Sequence, residues 1–488
     1  MSSETKSYEC CILGAGPAGF GTAVELAKHG IKDIVIVDRN PKVGGLARTE
    51  VFGGARFDVG PHRFFTKSTE INQLWHDTLG ADFRPVDRLT RIFYKNKFFN
   101  YPIKATDALV KLGPLESFHA MLSFLSAKVG ANKEPKTFED WITLKFGRKL
   151  YETFFKTYTE KVWGIPCNQI GAEWAAQRIK GLDIIEVIKN SLLGARGGKI
   201  KTLVDQFDYP VLGSGQMYEA MADTVASRGA EVVLNTRIVG INRQENRITS
   251  IDLCGPDGRR YQITAQQYFT SIPITHFVKM LHPHPSEIVM RSADALYYRE
   301  HITVDLLVNG TQLFPDQWIY VHSPDVQMAR VANYNNFSTE MVNQKNTTAL
   351  SVEYFVFQHE SLWKKPDPEL IELAIDEMCY MGLLSRENVE QAWVVRETES
   401  YPTYYIGFKE PYDILRNAID TFTNLYPIGR GGMYKYNNQD HSTMSGILAA
   451  RNYLKLPGTP YSLWDINIDA EYHESAQRDR HEGSGENG

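Results

Sequence analysis

The spacing that most restricts this chain is G-x-G-x-x-G, formed by Gly14, Gly16 and Gly19 between an apolar run and a stretch of helical periodicity. Residues 8–14 read as a short buried strand, residues 17–30 as a helix with Phe20, Val24 and Ala27 on one face, and DIVIVD at 33–38 as a second strand. The three together make a βαβ unit. In that setting the turn needs positive φ, the backbone has to approach a pyrophosphate closely, and the helix N-terminus favours negative charge. Asp38 ends the second strand, 24 positions after Gly14, where an acidic side chain accepts hydrogen bonds from a ribose. The chain continues with Arg39, then PKVGGLART containing Gly44, Gly45 and Arg48, then GARFDVGPHRFF. Glycines this close to the second strand let a loop cross near the phosphates, and Arg48 is expected to offset their charge.

At 488 residues the chain exceeds what one hydrophobic core usually supports, so two or three subdomains with interleaved segments are expected. A net charge of -5 leaves no basic footprint for nucleic acid. The five cysteines are scattered and form no CxxC pair, which fits a reducing compartment without disulfides. No stretch approaches the roughly 20 apolar residues of a membrane span, and the start, MSSETKSYE, lacks a charged-then-apolar signal. A cytoplasmic protein is the expectation. No HExxH, GxSxG or P-loop lysine motif occurs, and the close pair His282 and His284 reads as an exposed loop, so no metal site is expected.

Between about 106 and 195 the periodicity turns helical, with Trp141, Leu144, Phe154, Phe155, Tyr158 and Val162 recurring at spacings near three and four. The amphipathic stretch from Thr106 to Val129 is expected to pack inside that helical region, since few lysines line its polar face. Segments such as QWIYVH and LSVEYFVF, between about 298 and 360, alternate as a half-buried antiparallel sheet that would wall a chamber. The expected division is a discontinuous nucleotide-binding domain over 1–80, 212–275 and 420–470, a helical domain over 100–200, a sheet domain over 81–99 and 290–419, and a polar tail over 471–488 that cannot order itself.

Near the far end lie Gly429, Arg430 and NNQDHSTMSG, Asn437 to Gly446. With this second segment the chain resembles the superfamily of FAD-binding amine oxidases, protoporphyrinogen oxidases and UDP-galactopyranose mutases, whose members carry GxGxxG, an acid and then GG-x-x-x-R/S. The resemblance implies an α/β fold: a Rossmann-type FAD-binding domain, an inserted helical domain and an antiparallel-sheet substrate domain. It implies FAD contacts from Gly14, Gly16, Gly19, Asp38, Arg39, Gly45, Leu46, Arg48, Pro61, His62 and Ile238. From the closing segment it implies contacts from Gly429, Arg430, Asn438, Asp440, Ser442 and Met444. The amides of Ser442 to Met444 would face the flavin C2 carbonyl and stabilise charge on the reduced ring.

Within the superfamily the chain is most similar to the UDP-galactopyranose mutases, especially the larger eukaryotic type. GPHRFFT, with His62, resembles the mutase motif beside the flavin, and KVWGIP with Trp163, followed by EWAAQRI, resembles a stretch whose arginine grips the substrate diphosphate, here Arg178. RVANYNNFS puts Arg330 at the second diphosphate arginine, and YPTYYIGF and YKYNNQDHS put Tyr401 and Tyr436 at the two diphosphate tyrosines. The resemblance implies an intramolecular transfer in which N5 of reduced flavin is the nucleophile at the anomeric carbon of a nucleotide-diphosphate sugar, with NAD(P)H as a possible reductant. Arginine forks and phenol donors suit the charge that grows on a departing diphosphate. The mutase YPFQ-type segment that receives uracil is YPIK here, with Tyr101, Ile103 and Lys104, which changes the donor set for the base and sugar. The alternative is an FAD-dependent oxidase or desaturase of the amine oxidase type, in which N5 accepts a hydride.

Overall fold

The computed structural model describes residues 5–103, 105–129, 134–172, 206–458 and 463–465. The apolar half of the first strand, Thr5–Leu13, is fully buried, and the strand lies inside an eight-stranded sheet. It runs parallel to Ile34–Val37 on one side and to Arg260–Thr270 on the other. Beyond Ile34–Val37 the sheet adds Glu231–Val233, and beyond Arg260–Thr270 the antiparallel strands Arg247–Cys254 and Arg237–Gln244. Parallel strands buried on both faces need continuous apolar runs, and CCIL and IVIV supply them.

The helix Pro17–Lys28 packs on this sheet and against the late helix Gln439–Tyr453. Their contact is backbone on backbone: a Cβ at Gly21 would fall 2.3 Å from the Thr443 carbonyl oxygen, and one at Gly446 would fall 2.0 Å from that of Ala18. No side chain larger than hydrogen fits at either crossing.

A seven-stranded sheet follows the order Val389–Pro402, Tyr298–Asn309, Thr347–Val356, Arg330–Asn333, Trp318–Val321, Thr90–Tyr94, Lys97–Asn100. Its pairs are antiparallel except Trp318–Val321 with Thr90–Tyr94. Ile302, Val304 and Leu306 face the helix Asp367–Tyr380, where Leu370, Ala374 and Met378 complete a dry core. The alternate positions Arg299, His301, Thr303 and Asp305 point the other way and are equally buried. The sheet is therefore not half-buried as its alternation suggested. Its polar face is roofed by the rest of the molecule, and each polar group there needs a partner inside the protein or in a ligand.

The stretch Pro114–Val129 is helical, but Leu115, Phe118 and Met121 are 68%, 51% and 53% exposed and Val110 is 81% exposed. The segment packs against the helices Phe138–Phe146 and Arg148–Tyr151 as expected, while among the described residues nothing covers the face of Leu115, Phe118 and Met121. Lys104, Arg178 and the tail from 471 to 488 lie outside the described residues.

Burial of the polar face has a measurable consequence at Asp305, whose carboxyl reaches only Ser351 Oγ among the described residues and is pushed up to about 8, first by burial and then by Glu50, Glu353 and Asp58. A carboxyl held above its unfolded value binds its proton more tightly when folded, so stability falls as pH rises from about 4 to 8, with a limiting slope of about 1.4 kcal/mol per pH unit. Asp305→Asn should flatten this slope. Urea unfolding of both forms at pH 5 and pH 8 checks it, the substitution being more favourable at the higher pH.

Candidate active site

The turn after the first strand carries Gly14 at φ +115°, and a Cβ there would fall 2.0 Å from Ser271 Oγ. Gly19 is required too, because its Cβ would meet the Gly14 carbonyl oxygen at 2.0 Å. Gly16 differs. Among the described residues a Cβ on it would find no atom nearer than 3.7 Å, so packing alone does not demand glycine. The open cradle at Gly16 fits a ligand that comes against the backbone there, as a pyrophosphate does at this turn. Asp38 accepts hydrogen bonds from Ala15 N at 2.7 Å and Asn40 N at 2.8 Å, which fixes its carboxylate at the head of the cradle.

From this cradle one cavity of about 780 Å³ runs continuously to the polar face of the second sheet. Gly14, Gly16, Asp38, Arg39, Gly45, Leu46, Pro61, His62, Ile238, Gly429, Arg430, Asn438, Asp440 and Ser442 line one end, and Tyr101, Trp163, Arg330, Tyr401 and Tyr436 line the other. Its volume lies within the range of small-molecule and cofactor clefts.

Three groups at the wide end converge. The Arg330 guanidinium pairs with Glu353 at 2.5 Å and lies 5.1 Å over the Phe355 ring, while its Nε has no hydrogen-bond partner among the described residues. Tyr401 and Tyr436 stack at 5.4 Å, and Arg430 sits over both rings at 4.8 and 4.9 Å. Arg430 itself is anchored by donating to the carbonyls of Asn437 and Ser400. Burial raises Tyr401 above the usual phenol range, outweighing the opposing pull of Arg330, so it remains a hydrogen-bond donor. Trp163 packs beside Tyr401 and Tyr436 at 6.3 and 5.9 Å.

The helix Thr157–Trp163 forms an adjoining wall and is gripped reciprocally. Arg299 donates to the carbonyls of Lys161 and Val162 at its C-terminus, at 3.2 and 3.4 Å, and to Phe355 O at 2.6 Å. Lys161 Nζ in turn donates to Val321 O, Ser323 O and Met328 O at 3.2, 2.7 and 2.9 Å. Gly164, at φ +68°, is obligatory because a Cβ would fall 2.3 Å from Arg299 Cζ.

His62 is half-buried, and its removal from bulk water with nearby Arg430 pushes it down to about 4. It is neutral near pH 7, with Nε2 donating to Leu46 O at 2.8 Å.

Two expected contacts are corrected. Arg48 does not line the cavity: its guanidinium is committed to Glu397, to Glu50 at 2.7 Å and to Gly45 O at 3.1 Å. A buried arginine between two carboxylates has little charge left for a phosphate. Met444 is half-buried and packs against the hydrophobic core, because the helix opens at Gln439 with Asn438 as N-cap, and Met444 lies more than a turn inside. For the same reason Ser442 N is spent on Asn438 O.

Several lining residues escaped sequence reasoning. Tyr158 read as helix packing, whereas it lines the cavity with His322 stacked on it at 4.7 Å. Trp318, Tyr320 and His322 share one face of a single extended run and all line the cavity, while Ile319 and Val321 go to the dry core. That alternation was the available signal, since aromatic and imidazole side chains at period two are unusual on a solvated face.

The flavin containing amine oxidoreductase family model matches residues 17–452. A probable UDP-galactopyranose mutase from Klebsiella pneumoniae is 28% identical over 169 residues, which is 33% of this chain and 42% of that protein. A dTDP-fucopyranose mutase from Escherichia coli is 27% identical over 170 residues, 33% of this chain and 43% of that protein. The matched stretch thus spans less than half the length of either relative. A crystal structure of reduced UDP-galactopyranose mutase superposes with a TM-score of 0.81 at 22% identity, over 94% of this chain and 97% of that one, so the fold is shared throughout. The chain belongs to the flavin containing amine oxidoreductase family.

Proposed function

We propose that this flavoenzyme isomerises a nucleotide-diphosphate sugar between its pyranose and furanose forms. The observation that carries the reading is that Arg330, Tyr401 and Tyr436 open onto the same cavity as the Gly16 cradle. A cation with uncommitted donors beside two phenols is a binding set for a diphosphate, and an amine or a hydrocarbon would have no use for it. The likeness to two sugar-nucleotide mutases supports the same substrate class.

FAD would be held by Gly14, Gly16 and Asp38 from the first motif and by Gly429, Asn438 and Asp440 from the second, and when reduced it would supply N5 as a nucleophile for the anomeric carbon. No protein nucleophile is then required. The work of the chain is to bind and to neutralise. Arg330 keeps one amino group on Glu353 and has donors to spare for phosphate oxygens. Tyr401 donates a hydrogen bond to the same oxygens as their charge grows, and Arg430 beneath both rings keeps Tyr401 and Tyr436 side by side. Arg178 would add a second guanidinium by its resemblance. Trp163 and Tyr158 add aromatic wall to the chamber.

Purified protein is expected to be yellow, with an oxidised-flavin absorption spectrum. After dithionite or NAD(P)H reduction it should convert at least one member of a panel of nucleotide-diphosphate hexoses to its ring isomer without consuming reductant stoichiometrically. Rapid oxygen uptake with an amine or porphyrinogen, and no isomer from any sugar nucleotide, would decide for an oxidoreductase.

Arg330→Ala should lower kcat/KM by about 3 kcal/mol of transition-state stabilisation, the cost of one charge-stabilising donor. An unchanged kcat/KM with the sugar nucleotide removes Arg330 from the site.

A further inference from the structure

Glu353 is an unexpected neighbour for an anion-binding arginine. It is fully buried, it sits against the arginine meant to receive a diphosphate, and one of its oxygens, Oε1, has no hydrogen-bond partner among the described residues. A carboxylate there repels the proposed ligand. Its retention needs a compensating role.

The second partner supplies one. Glu353 Oε2 takes both the Arg330 amino group at 2.5 Å and His301 Nε2 at 2.9 Å. Burial by itself would raise this carboxyl, but Arg330 and His301 outweigh it and hold it below the usual range, so the pair is ionic. The three side chains come from three adjacent strands, with Arg330 directly opposite Glu353 and His301 directly opposite Phe355. Phe355 is shared: His301 stacks on its ring at 5.1 Å and 17°, and Arg330 lies over it at 5.1 Å. Against this assembly rests the loop that carries Pro61 and His62. Gly60, at φ +84°, comes so close that a Cβ would lie 3.2 Å from His301 Cε1 and 3.5 Å from Glu353 Oε2.

We propose that His301 and Glu353 form a buried relay that holds the Arg330 guanidinium in register with the cavity, so that both are positioning residues for the diphosphate clamp. The inference rests on the sugar-nucleotide reading above. An arginine stacked only on Phe355 swings about its long side chain. With one amino group pinned, the remaining donors keep a fixed direction, and less ordering is left for the ligand to impose. His301 aligns the carboxylate and transmits the position of the Gly60 loop to the clamp.

A positioning residue acts through its target, and a double-mutant cycle reads that coupling. UDP affinity of the flavin-loaded enzyme is measured by calorimetry for the wild type, Glu353→Gln, Arg330→Ala and the double variant, with KM and kcat for any hexose nucleotide the wild type isomerises. Flavin content and Tm report folding. Glu353→Gln should weaken UDP binding about tenfold at normal flavin content, yet add less than about twofold on top of Arg330→Ala. His301→Phe keeps the stacking and removes the donor, and should weaken binding about threefold, again absorbed by Arg330→Ala; it carries the test should Glu353→Gln fail to fold. Additive effects, or no effect of either substitution, overturn the relay while the wild type still binds UDP and isomerises a sugar nucleotide. A wild type that does neither overturns the underlying reading and the relay with it.

Discussion

The crossing of the helices Pro17–Lys28 and Gln439–Tyr453 is the contact on which the rest of the site depends. At Gly21 and Gly446 the two backbones touch with no side chain between them, which brings segments more than 400 residues apart to within a carbonyl's reach. Because the approach is backbone to backbone, its distance cannot be relaxed by rotamer changes. The glycine turn at Gly14–Gly16 and the start of the late helix are thereby set on one cavity, and the two segments proposed to hold the cofactor become a single surface.

The second sheet obeys a different constraint. One face is an ordinary aliphatic core, and the other is polar without being wet. Such a face is stable only when its groups pair, and the pairs found there form a graded series. Arg48 is saturated by two carboxylates, Arg299 is saturated largely by backbone carbonyls, and Arg330 is left with donors to spare. The uncommitted arginine is the one that faces the cavity. Two buried guanidiniums on this side of the molecule are structural cement, and sequence alone does not distinguish them from the third.

That distinction marks how far the sequence could be read. The glycine turn, Asp38 and the late glycine-rich segment were legible because their constraint is local: a positive φ, a close backbone approach, a helix start. Arg330, Tyr401 and Tyr436 entered only through resemblance, since nothing near them in the chain reports that they meet. Arg48 misled because its fate is decided by Glu397, 349 positions away. Met444 misled because it lies six residues past the Asn438 cap, where backbone amides are already spent within the helix. The buried side of the sheet was hidden for a related reason. Alternation of polar and apolar residues states that two faces differ and leaves open what lies over the polar one.

The mutual grip of Arg299 on the Thr157–Trp163 helix and of Lys161 on the carbonyls around Val321 ties two adjoining walls of the chamber through charge-assisted bonds in both directions. Two walls joined this way resist being pulled apart, because separating them would leave a buried guanidinium, an ammonium and their carbonyl partners unpaired at once. At the seam Tyr158 meets Tyr320 edge to face at 5.4 Å and stacks on His322 at 4.7 Å, so no flat group has room to slide between them. A ligand entering the chamber would lie over these rings without parting them.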